Sequence, residues 1–70
     1  MDLTQKLAAN LRARRGAKTQ DEFARKLGIS RATLSRLESG TQNITLKTID
    51  QIIKKLRCNV EDLFVVPTKI

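Results

Sequence analysis

The stretch "SRATLSRLESG", residues 30–40, places Arg31, Ala32, Ser35 and Arg36 at helical spacing along one face. An arginine guanidinium presents two parallel N–H donors that match paired acceptors such as O6 and N7 of guanine, and the small Ala and Ser permit close approach. The chemistry on offer is recognition of an acceptor-rich anion. Covalent chemistry is poorly provided for: the chain has no His and a single Cys, Cys58, so the usual nucleophile and base sets and the His/Cys metal sites cannot be assembled. Asp21, Glu22, Asp50, Glu61 and Asp62 lie near expected helix N-termini or on polar faces, where carboxylates serve as caps and dipole partners. The sequence therefore predicts no enzyme, no metal and no cofactor.

The elements that must position the arginine face follow from local signals. Ser30 reads as the N-cap of a helix over 31–38, and Gly40 as its stop. Before it, Thr19 and Glu22 form a capping box ahead of a helix over 20–27, with Phe23, Ala24 and Leu27 apolar and Gly28 as the stop. "LGIS" leaves so little chain between these two helices that they must cross steeply, with Ala24 at the close approach. Ile29, Leu34 and Leu37 then point into the core and leave the arginine face outside. A first helix over about 2–15 carries Leu3, Leu7, Ala8 and Leu11 on one side. Thr45 caps a helix over 46–56, where Leu46, Ile49, Ile52, Ile53 and Leu56 form an apolar stripe. A last turn over 61–64 leads to an extended tail, since Val65 and Val66 precede Pro67. The fold class expected is all-α: a compact bundle of four to five short helices, one domain over residues 1–66 with a tail over 67–70.

Fourteen Lys and Arg against seven Asp and Glu give this 70-residue chain a net charge of +7, a field that attracts polyanions. No apolar run approaches the ~20 residues needed to cross a bilayer, and one cysteine permits no internal disulfide, so a cytoplasmic protein without membrane association is expected. "IIKKLR" reads as a core-closing stripe, not a membrane helix, and "RARR" at 12–15 as a solvated helix end complementing the dipole. Cys58 reads as a small packing residue.

The run "TQDEFARKLGISRATLSRLESGTQNITLKTIDQIIKKLRCNVEDLF", residues 19–64, resembles the helix-turn-helix proteins of the phage repressor and Cro class, the xenobiotic-response-element family. Thr19, Gln20, Ala24, Leu27, Gly28, Ser30, Glu38 and Gly40 carry the likeness. The resemblance implies a lambda-repressor-like domain on double-stranded DNA, with helix 31–38 in the major groove. It implies that Arg31, Ala32, Ser35 and Arg36 read bases, and that Gln20, Ser30, Thr33, Thr41, Gln42, Asn43 and Lys47 approach phosphates. It also implies a partly buried ion pair between Glu38 and an arginine of the first helix, Arg12 or alternatively Arg14. The segment "RARRGAK" departs from the family pattern, with Lys18 where an apolar residue is usual.

Val60, Leu63, Phe64, Val65, Val66 and Ile70 make the chain's end more apolar than a small monomer would leave in water. The first five are the expected homodimer interface, since a two-fold pair of such modules reads two half-sites. The functional expectation is a sequence-specific transcriptional regulator on a palindromic operator. Phage repressor, restriction-modification controller and antitoxin are all settings the resemblance allows. The alternative is an antitoxin or adaptor that works mainly by binding a partner protein, such as a toxin, through the apolar tail.

Overall fold

The computed structural model describes residues 2–40 and 44–66. The helices are α1 (Leu3–Arg15), α2 (Gln20–Leu27), α3 (Arg31–Ser39) and α4 (Leu46–Leu56), followed by a 3-10 helix, Val60–Phe64. No strand occurs among the described residues.

Each of the four α-helices begins on a side chain that accepts one of the N–H groups the helix cannot satisfy itself. Asp2 accepts from the Gln5 N–H at 2.9 Å, Thr19 from Glu22 at 3.1 Å, Ser30 from Thr33 at 3.0 Å and Thr45 from Thr48 at 3.2 Å. In the Thr19 box the Thr19 N–H donates back to the Glu22 carboxylate at 3.2 Å. That backbone hydrogen bond, with help from the Thr19 side chain, holds the Glu22 carboxyl below its ordinary pKa. The cap is therefore complete at neutral pH and weakens as pH falls through the lowered value.

A single core joins all the elements: Leu7, Leu11, Phe23, Ala24, Leu27, Leu34, Leu37, Ile52 and Leu63 are buried together. Helix α1 packs against α3 and the 3-10 helix, α2 against α3 and α4, and α4 against the 3-10 helix. Ile29, Ile44, Ile49, Ile53, Leu56, Cys58 and Phe64 pack around this centre, which places Cys58 as the packing residue its type suggests.

Three apolar expectations are corrected. Leu46 is 83% exposed and Leu3 62%: each occupies the first position of its helix, and the buried stripe of α4 starts one turn later, at Ile49. Leu63 is fully buried in the core, so it is no part of a dimer surface; the 3-10 turn rotates it inward against α1 and α4. The tail beyond Val66, including Ile70, lies outside the described residues.

Candidate nucleic-acid interface

The corner between α2 and α3 sets the direction of the arginine face. Gly28 adopts φ 73°, ψ 28°, the left-handed conformation, which lets its N–H reach Arg25 O at 3.2 Å while the Ile29 N–H reaches Ala24 O at 3.1 Å. From α4, the Gln51 amide donates to Gly28 O at 2.5 Å and Leu27 O at 3.3 Å. This pins the corner to the rest of the fold. A Cβ on Gly28 would stand 2.6 Å from Gln51 Nε2. Gly28→Ala should therefore cost about 1–2 kcal/mol from left-handed strain and displacement of Gln51. Urea denaturation would show this, and Gln51→Ala in the same background should relieve the collision but not the strain. An unchanged midpoint for Gly28→Ala alone would contradict the assigned geometry.

Leu34 and Leu37 anchor α3 at 0% and 1% exposure, so its other side faces solvent. Arg31, Ala32, Ser35 and Arg36 are all exposed there. Arg31 is not isolated: its Nε lies 3.8 Å from the Asp21 carboxylate on the first turn of α2. Ser30 spends its hydroxyl on the cap, accepting the Thr33 N–H and donating to Thr33 Oγ1 at 2.8 Å. Of this pair, the proton of the half-buried Thr33 hydroxyl is the one left to point outward. Lys47 is exposed on the first turn of α4, and Thr41, Gln42 and Asn43 lie outside the described residues.

The ion pair of Glu38 differs from expectation in its partner. Arg15, and neither Arg12 nor Arg14, meets the carboxylate, with Nε at 2.9 and 3.1 Å from its two oxygens. The phase of α1 explains the change. Arg15 is one turn beyond the buried Leu11 and continues the face that meets α3, while Arg12 bonds the backbone oxygen of Glu38 instead. Arg14 faces the other way, to Asn10 Oδ1 at 2.8 Å and Asp62 O at 3.4 Å. Gln20 donates one amide hydrogen to Glu38 at 3.2 Å, so the buried carboxylate, 4% exposed, ties together α1, the first residue of α2 and the end of α3. The second amide hydrogen of Gln20 is left for an external acceptor.

Asn10 is a residue that the apolar pattern passes over. It is 6% exposed and donates to Asp62 O at 2.9 Å and Val65 O at 2.7 Å, clamping the end of the chain to α1. Beside this clamp Val60 and Val65 are 48% and 60% exposed, and Phe64 and Val66 are half-buried. No group of three or more potential metal ligands occurs among the described residues, and no described helix is long and apolar enough to cross a membrane.

Comparison with known proteins places this geometry among relatives. A helix-turn-helix family model matches residues 10–63. The plasmid copy control protein CopR of Streptococcus agalactiae is 42% identical over 45 residues, 64% of this chain and 49% of that protein. An uncharacterized helix-turn-helix-type transcriptional regulator of Methanocaldococcus jannaschii is 38% identical over 67% of this chain and 71% of its own length. Antitoxin PezA of Streptococcus pneumoniae is 47% identical over 64% of this chain and only 28% of its own. The chain thus matches about half the length of the copy control protein and about a quarter of the antitoxin. Among solved structures, a hypothetical transcription factor, NHTF, from Neisseria superposes with a TM-score of 0.79 at 34% identity, covering 94% of this chain and 78% of its own.

Proposed function

The chain belongs to the helix-turn-helix family of DNA-binding transcriptional regulators, and on that premise we propose that it reads a short palindromic operator as a homodimer, with α3 in the major groove. The observation that carries this reading is the division of α3: Leu34 and Leu37 locked in the core, with Arg31, Ala32, Ser35 and Arg36 turned to solvent. Arg31 and Arg36 supply bidentate donors, and Ala32 and Ser35 allow the helix to seat close to base edges. Gln20, Thr33 and Lys47 approach phosphates and set the register, Gln20 with the amide hydrogen that Glu38 leaves it. Ser30 shapes the helix end that faces those phosphates. Val60 and Val65, with the edges of Phe64 and Val66, form the two-fold contact.

Selection of bound duplexes from a random DNA pool at near-physiological salt tests the reading. A two-fold motif with half-sites about 34 Å apart is expected. If the dimer neutralises roughly 6–8 phosphates, log K should fall against log salt with a slope of about −5 to −7. Weak, motif-free binding would count against it. That outcome would favour a second reading, an antitoxin-type protein acting chiefly through a partner, which the antitoxin relative PezA supports. In that case the exposed valines would be the surface for a toxin.

A further inference from the structure

The Asp21–Arg31 pair stands out because the α2 dipole accounts for a carboxylate on the first turn of that helix, but not for its contact with Arg31. Both side chains are well exposed, 59% and 66%, and separated by 3.8 Å, a geometry that contributes little to folding in water. The first turn of α2 already has Glu22 for its cap. Yet Asp21 is a negative charge set directly beside Gln20, on the side of the molecule that would approach phosphates. Such a charge opposes association with any DNA.

The atom it engages gives the placement a use. The guanidinium nitrogen that Asp21 meets is Nε, at 3.8 Å, so the pair leaves the two terminal Nη groups to other acceptors. Those groups form the fork that bonds O6 and N7 of guanine. We propose that Asp21 is a specificity-determining residue: it holds Arg31 in the orientation that reads a base and away from the phosphates that Arg31 would otherwise reach on any sequence. The inference rests on α3 being the reading helix. On the correct base, orientation of the fork offsets the repulsion; elsewhere the repulsion stands alone, so the ratio of operator to non-operator affinity rises.

The test compares Asp21→Asn with the unaltered protein on two duplexes of equal length, one selected from the random pool and one of mixed sequence. The expected result is about fivefold tighter binding to the mixed duplex, with a salt slope steeper by about two, one for each protomer. Binding to the selected duplex should be unchanged or weaker. Arg31→Ala should remove most of the gain from Asp21→Asn, because a released arginine supplies most of it and relief of the carboxylate's own repulsion only the remainder. Glu61→Gln, which removes the same charge from an exposed position on the 3-10 helix, should not reproduce it. Equal gains on both duplexes, a gain undiminished by Arg31→Ala, or the same gain from Glu61→Gln would each overturn the proposal. If the pool yields no preferred sequence, the reading of α3 fails by itself, and the mixed duplex still reports whether Asp21 restrains Arg31.

Discussion

Replacing Arg15 with alanine should lower folding stability by about 3 kcal/mol, the low end for breaking a buried ion pair. The low end is appropriate because the Arg15 side chain keeps 26% of its surface in water, while Glu38 keeps only 4%. The loss arises from the partner left behind. Without Arg15, the Glu38 carboxylate would be buried with one neutral amide hydrogen from Gln20 to satisfy it. For a domain of this size each kcal/mol is worth ~4–8 °C, so the melting temperature should fall on the order of 15 °C. Arg12→Ala removes only a bond to the backbone oxygen of Glu38 from an exposed side chain, and should cost about 1 kcal/mol. The order of the two variants in thermal and urea denaturation is the sharper check. A larger loss from Arg12 than from Arg15 would mean that the carboxylate depends on a different partner.

That pairing also marks the boundary of what the amino-acid sequence makes legible. The caps at Thr19, Ser30 and Thr45 and the stops at Gly28 and Gly40 could be read because each is decided within about one helical turn. The partner of Glu38 depends instead on how α1 rotates against α3. Each residue step turns about 100° around the helix, so Arg12, Arg14 and Arg15 point in different directions, and likeness to a family does not fix that phase. A signal was present: Leu7, Leu11 and Arg15 follow at four-residue steps along the buried face. The same rule places Arg14 one turn beyond Asn10, which is where the structure joins them.

Burial at the ends of elements was harder to read for a related reason. Periodicity assigns Leu46 and Ile49 to the same stripe, but a stripe is buried only where another element covers it, and coverage of α4 begins at Ile49. The tail shows the reverse case. Leu63 reads as surplus apolar surface until the 3-10 turn carries it into the centre of the core. Helix α4 ends at Arg57, with φ 57°, although arginine has no special preference for that conformation. The Cys58 N–H bond to Ile53 O closes the turn locally, and the packing of Cys58 against the core holds it there, which the residue type at 57 does not announce. The arginine face of α3, in contrast, was legible because the burial of Leu34 and Leu37 determines which way its neighbours point.

If that face reads bases, Arg31→Ala and Arg36→Ala should each weaken operator binding by about 1–3 kcal/mol, roughly 5–150-fold, and relax base preference at one position of each half-site. Two-fold symmetry makes every substitution act twice in a dimer, so the loss on the full operator should exceed that on an isolated half-site. Lys47→Ala provides the contrast. If Lys47 meets a phosphate in each protomer, its removal should weaken selected and mixed duplexes alike and make the salt slope shallower by about two. Arg31→Lys separates charge from geometry: the cation is retained but the planar fork is gone, so affinity for mixed DNA should persist while discrimination falls. Measured by fluorescence anisotropy on both duplexes, these patterns distinguish a residue that reads from one that merely attracts. Normal operator binding by both alanine variants would remove α3 from the groove, whatever its family likeness. Losses equal on every sequence would instead make Arg31 and Arg36 phosphate-binding residues, and base reading would then have to come from elsewhere on the chain.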